Sequence, residues 1–208
     1  ITPSSSTAGT YTVTYTIPPS AGCASETATT SVTITPLPTA TINYSPDVFC
    51  ETDSDTYPVT INQTDGTAGT YTASPNGLII DTNTGEITPT GSDVGTYTIT
   101  YTIPASAGCG VVTASDDIEI EAQPDATFSY ASADYCSNET DPSPTITETG
   151  GIFTSIPSTG LVINSTTGAI DLDASAPNTY TIYYTFPAVN GGCAEVQESQ
   201  SITISTYI

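Results

Sequence analysis

Apolar and hydroxyl residues alternate strictly along Gly95–Pro104, which reads GTYTITYTIP. Tyr97, Ile99, Tyr101 and Ile103 fall on one side of an extended chain, and Thr96, Thr98, Thr100 and Thr102 on the other. A period of two marks a half-buried strand, because successive side chains of a strand point to opposite faces. The alternation returns over Tyr11–Ile17 and Tyr180–Phe186, and a companion strand is marked by Val32 and Ile34, Ile118 and Ile120, and Ile202 and Ile204. Shorter strands are predicted at Ala40–Tyr44, Tyr57–Gln63, Gly69–Ser74, Leu78–Asp81 and Gly85–Thr90, with the run Asp81-Thr82-Asn83-Thr84-Gly85 as a hairpin turn whose Asn and Gly accept positive φ. No segment carries a helical period. Seven short strands in about 85 residues predict an immunoglobulin-like sandwich, so the expected fold class is all-β, a tandem series of such units.

The period of the whole chain supports this. Gly9–Pro18, Gly95–Pro104 and Asn178–Pro187 are versions of one sequence, the first two 86 residues apart and the last two 83. Cysteines keep the same beat: Cys23 to Cys109 and Cys50 to Cys136 are 86 residues, and Cys109 to Cys193 is 84. Fixed self-similarity of this kind is the signature of repeat architectures. Proline at Pro36, Pro38 and Pro124 removes ladder donors and sets the expected boundaries. These give residues 1–36 as the C-terminal part of one repeat, 37–123 as a complete repeat and 124–208 as another. The junctions are too short for flexible linkers, so neighbouring repeats should abut.

Charge narrows the function. The chain has no Lys, Arg or His against 22 Asp and Glu, a formal charge of -22. Acid-base catalysis near neutral pH and phosphate recognition lose their usual side chains, and an enzyme is not expected. Nucleic acid and anionic lipid are excluded as partners because both are bound through cations. Charged residues nevertheless make up only 11% of the chain against 37% hydrophobic, which favours a folded β protein over disorder. No apolar run reaches the ~18 residues of a membrane helix. Ile1 opens a polar stretch without a start Met or a signal-peptide pattern, so the sequence reads as internal or processed.

The run Gly77-Leu78-Ile79-Ile80-Asp81, then Thr84-Gly85-Glu86-Ile87 and Gly95-Thr96-Tyr97, resembles the Ig-like and cadherin-like repeats of bacterial surface proteins. Gly160–Ile163, Thr167–Ile170 and Thr179-Tyr180 carry the same elements in the last repeat. The Cys pair and the stretch Tyr135–Asp141 are similar to repeats of giant adhesins from gliding, Bacteroidetes-type bacteria. That resemblance implies an extracellular or cell-surface location, cell adhesion, gliding motility and type IX secretion. It implies a structural stalk whose partners are neighbouring repeats, with a glycan- or surface-binding module as the alternative and polymerisation by strand exchange as a third reading. The antibody pattern is not followed, since there is no Trp and no Cys in the Tyr-rich strand, although Tyr97 and Tyr180 are placed to serve as tyrosine-corner residues.

Five Cys without His or a CxxC spacing point to disulfides rather than metal. Repeat logic pairs Cys50 with Cys109 and Cys136 with Cys193, leaving Cys23 for a partner outside the sequence. A bond between Cys50 and Cys193 across the junction is the alternative, because the loop after the first strand of an Ig sandwich and the loop before its last lie at opposite ends. Weaker candidates are Ca²⁺ ligands among Glu51, Asp53, Asp55, Glu139 and Asp141, without a complete calcium-loop signature. The outward Thr rows at 10, 12, 14 and 16 and at 96, 98, 100 and 102 offer a hydroxyl array, although Thr is also simply a good strand residue. Asn43, Asn62, Asn138 and Asn164 lie in N-x-S/T sequons. Asp171 and Asp173 are spaced to share one strand face, with no cleft to make a glycosidase pair.

Overall fold

The computed structural model describes residues 1–64, 67–106, 108–188 and 192–207; Ile208, the expected end of the last repeat, lies outside them. Apart from a 3-10 turn at Pro3–Ser5, the described secondary structure is all strand. The first repeat contributes β1 (Gly9–Ile17) and β2 (Glu26–Ile34). The second contributes β3 (Ala40–Asn43), β4 (Val48–Cys50), β5 (Thr60–Gln63), β6 (Thr70–Ser74), β7 (Ile79–Ile80), β8 (Ile87–Thr88), β9 (Gly95–Ile103) and β10 (Val112–Glu121). The third repeats the series as β11 (Phe128–Ser129), β12 (Asp134–Cys136), β13 (Thr145–Ile146), β14 (Ile152–Ile156), β15 (Val162–Ile163), β16 (Ile170–Asp171), β17 (Asn178–Phe186) and β18 (Val196–Ser205).

Each complete repeat is an immunoglobulin-like sandwich. In the second, one sheet has the order β4-β10-β9-β6, and the facing layer is built from the pairs β3-β5 and β7-β8. Tyr57 joins those two pairs by exchanging both backbone hydrogen bonds with Ile87, at 2.9 and 3.0 Å. The third repeat has β12-β18-β17-β14 facing β11-β13 and β15-β16. There the bridging position is Pro142, which lacks an N–H, so only the bond from Ile170 N to Pro142 O, 3.0 Å, is made.

The strand expected at Ala40–Tyr44 forms as β3, and a second segment that was not expected, β4, follows it: β3 pairs antiparallel with β5, and β4 pairs parallel with β10, so the chain crosses from one sheet to the other. That crossing changes the sheet without reversing the chain. Cys50 therefore stands level with Glu121, at the end of β10 that leaves the repeat.

The alternation seen in β9 becomes inside and outside. Tyr97, Ile99, Tyr101 and Ile103 are buried with Ile118 and Ile120 of β10, Phe49 of β4, Tyr71 of β6 and Ile87 of β8. The third repeat has its own core, with Tyr180, Ile182 and Tyr184 packed against Phe128, Phe153, Ile202 and Ile204. The two cores share no residue. Phe153 stacks on Tyr184 at 4.3 Å between ring centroids, and Phe128 meets Phe153 edge-on at 5.4 Å. Both expected tyrosine corners form: Tyr97 donates to Asp93 O at 2.6 Å and Tyr180 to Ala176 O at 2.7 Å.

In the first repeat β1 pairs with β2 over its whole length, and Tyr11 makes the same corner to Thr7 O at 2.8 Å. Its inward row nevertheless stays open. Tyr11 is 43% exposed and Tyr15 68%, whereas their counterparts Tyr97 and Tyr101 are 1% and 4% exposed. Among the described residues no other strand pairs with β1 or β2.

Candidate functional site at the junction between repeats

The chain leaves β10 at Glu121 and reaches β11 at Phe128, and the end of one sandwich meets Cys193, just ahead of β18, of the next. Cys50 arrives at this junction on β4 and Cys193 on the segment before β18. They form a disulfide with a Cα–Cα distance of 4.6 Å across a sequence separation of 143. Both are buried, at 6% and 3% exposure. Cys193 Sγ lies 3.5 Å from Ala122 O and 3.9 Å from Glu121 O, and the Thr52 hydroxyl is 3.3 Å from Cys50 Sγ. Gln123 N donates to Glu51 Oε1 at 3.1 Å, which fastens the departing chain to the loop beyond β4.

This corrects the expected pairing. Cys50–Cys109 and Cys136–Cys193 do not form, and Cys23, Cys109 and Cys136 are free thiols. The reason is strand length. Cys50 is level with the last residue of β10 and Cys109 precedes its first, so they are separated by a ten-residue strand, roughly 30 Å at 3.4 Å per residue. A disulfide tolerates a Cα separation of no more than about 7 Å. Cys136, level with Ser205, and Cys193, before Val196, are held apart by β18 in the same way.

The acidic candidates are not gathered into one site. Asp53 accepts the Tyr57 hydroxyl on one oxygen, at 2.5 Å, and the Asp55 amide on the other, at 2.9 Å. That carboxylate first, with burial second, pushes the Tyr57 phenol up to about 12. Asp141 accepts the Leu172 amide at 2.9 Å, and Glu139 N donates to Cys136 O at 3.0 Å. Among the described residues no group of three or more acidic or Cys side chains is arranged to hold a metal ion. Asp171 accepts the Ala174 amide at 2.9 Å, which makes it part of a turn. The four sequon asparagines are exposed. Asn164 accepts the amides of Thr166 and Thr167 at 2.9 and 3.0 Å, as Asp81 accepts those of Asn83 and Thr84 at 2.7 and 2.9 Å, so Asp81 shapes the predicted hairpin turn and Asn164 the equivalent turn of the third repeat. Those two amides hold the Asp81 carboxyl below its usual range.

The Thr row at 10, 12, 14 and 16 lies on β1 of the β1-β2 sheet, and the row at 96, 98, 100 and 102 on the solvent side of the β4-β10-β9-β6 sheet, where Thr98 donates to Asp117 at 2.6 Å and the register sets Thr100 between Ser115 and Thr72. The face is one of hydroxyls and carboxylates. The third repeat differs: Ile152 and Ile156, exposed on β14, flank Thr154, which is paired with Tyr183 of β17. Sequence reasoning missed the junction contacts Glu121, Ala122, Gln123 and Glu51. Their signal was present in the 86-residue spacing, which superposes Thr35-Pro36 on Glu121-Ala122 as it superposes Cys23 on Cys109.

No family model and no curated protein match this chain. Among solved structures it is similar to mouse cadherin-23 EC22-24, with TM-score 0.41 and 10% identity over 95% of this chain and 74% of that one. It is similar to Sidekick-1 immunoglobulin domains 1-5, with TM-score 0.45 and 12% identity over 99% of this chain and 48% of that one. A SusE-like surface located polysaccharide binding protein from Bacteroides thetaiotaomicron has TM-score 0.31 and 14% identity over 79% of this chain and 34% of its own.

Proposed function

We propose that this chain is a spacer, a stalk segment of a secreted, repetitive bacterial cell-surface adhesin or filament, with neighbouring repeats as its main partners and no catalytic role. The observation that carries this reading is the buried Cys50–Cys193 bond, which ties two sandwiches with separate cores across their junction. A binding module gains little from such a bond. A spacer gains a fixed attachment between units that survives the unfolding of either. The acidic surface suits the same role, because like charge keeps neighbouring copies apart in solution. The resemblance to giant adhesins extends the reading to the cell surface of gliding bacteria and to export by type IX secretion.

One observation favours a glycan- or surface-binding module instead. The Ile152, Tyr183, Ile156 group is an apolar and aromatic patch on an otherwise hydroxyl-rich face, and rings of that kind stack on sugars. Two measurements separate the readings. In-frame removal of one repeat from the parent protein should shorten the surface filament in electron micrographs without abolishing adhesion, and the 208-residue chain should bind no glycan on an array. Saturable glycan binding that Tyr183→Ala removes would replace the spacer reading with the module.

A further inference from the structure

Three thiols are left over, and their positions are not arbitrary. Cys136 repeats the setting of Cys50. It ends β12 level with Ser205 as Cys50 ends β4 level with Glu121. The next backbone bonds also match: Ser137 N to Ser205 O and Glu51 N to Glu121 O are both 2.9 Å, and Glu139 N to Cys136 O and Asp53 N to Cys50 O are both 3.0 Å. Tyr207 N reaches Ser137 Oγ at 3.4 Å where Gln123 N reaches Glu51.

Cys109 repeats the setting of Cys193 at the junction between the first and second repeats. Its Sγ lies 3.6 Å from Pro36 O and 3.6 Å from Thr35 Oγ1, and those two residues are the 86-residue counterparts of Ala122 and Glu121, whose carbonyls flank Cys193 Sγ. A groove lined by Thr35, Pro36, Pro38, Ile103, Pro104 and Cys109 opens beside it. Cys23 lies on the β1–β2 turn, bridged to Ser20 as Cys109 is bridged to Ser106.

We propose that these thiols are half-sites of a disulfide ladder. In the array, the Cys that ends the β4-type strand of each repeat bonds to the hairpin Cys of the repeat that follows it. Cys109 then pairs with the β4-type Cys of the first repeat, Cys136 with the hairpin Cys of a repeat beyond the third, and Cys23 with a repeat before the first. All three partners lie outside these 208 residues. The inference rests on the spacer reading, because it requires further repeats on both sides.

Each rung forms by thiol–disulfide exchange with a protein disulfide oxidant of the export compartment. One thiolate attacks the oxidant's disulfide, the second thiolate displaces it from the mixed disulfide, and the oxidant leaves as a dithiol carrying the two electrons and two protons. Consecutive rungs interlock, because Cys136 lies inside the loop that Cys50–Cys193 closes.

The test is disulfide mapping of the secreted parent protein. Free thiols are blocked with N-ethylmaleimide before an Asp/Glu-directed protease is used, since the chain offers trypsin no site. Cys109 and Cys136 should be recovered unlabelled, each bonded to a Cys about one and two-thirds repeats away, matching the 143-residue separation of Cys50 and Cys193. Cys136→Ser should expose one new labelled thiol in the following repeat and leave Cys50–Cys193 intact. Labelled Cys109 and Cys136 in a parent with flanking repeats, or a bond between those two, would overturn the ladder while leaving the spacer standing. A parent without flanking Ig-like repeats would overturn the spacer reading and the ladder with it.

Discussion

Pulled from its two ends, this chain should release far less length oxidised than reduced. Force entering at Ile1 reaches Cys50, crosses the disulfide to Cys193 and leaves through β18, so the residues between the two cysteines carry no load. The bypassed separation is 143 residues, about 500 Å of extended chain at up to ~3.6 Å per residue. Cys50→Ser should restore all of it, read in single-molecule force spectroscopy with handles at both termini as a gain of about 500 Å in total contour length. The within-repeat pairing would give a different number. A Cys50–Cys109 bond encloses a separation of 59 residues, so its removal would restore only about 210 Å. An increment near that value, or no difference between oxidised and reduced chains, would refute the reasoning. The same bond stabilises the folded pair by limiting the unfolded ensemble. The chain-entropy treatment puts a loop of this length at about 5 kcal/mol, so Cys50→Ser should also lower the denaturation midpoint markedly.

Phe153→Ala should destabilise the third repeat by about 3–5 kcal/mol in urea denaturation, because its ring stacks on Tyr184 inside the core, whereas Ile152→Ser on the exposed side should change it by about 0.5 kcal/mol or less. Equal effects would mean that β14 is assigned the wrong face. Gly85→Ala should cost about 1–3 kcal/mol, since Gly85 has φ 75° and an added Cβ would sit 2.8 Å from both the Tyr71 ring and Val59; a neutral result in thermal melts would show that the turn can rearrange. Stability should fall in alkali. Tyr57 titrates at about 12 in the fold against 10.0 when unperturbed, so its contribution is complete below pH about 10 and is lost as pH rises to about 12. Tyr44 and Tyr130, raised chiefly by burial, extend the loss upward, and a melting temperature that stays flat between pH 9 and pH 12 would contradict all three assignments.

The strands that alternate cleanly were legible without any structure. Tyr97 to Ile103 and Tyr180 to Phe186 could bury their apolar side only as strands, and the tyrosine corners and the Asp81 turn follow from local geometry that any extended chain with those residues adopts. The 86-residue period likewise fixed how many times the unit recurs, because copies of one strand pattern fold into copies of one sandwich. Pairing between distant residues was beyond that reach. Cys50 and Cys109 recur as Cys136 and Cys193 in the other complete repeat, and spacing alone cannot tell a partner within a unit from a partner in the next. Tertiary structure decided it through one feature with no sequence signature, the short β4 segment that pairs parallel to β10. That pairing carries Cys50 to the exit end of the sandwich, roughly 30 Å from its own repeat's hairpin and within bonding distance of the following one.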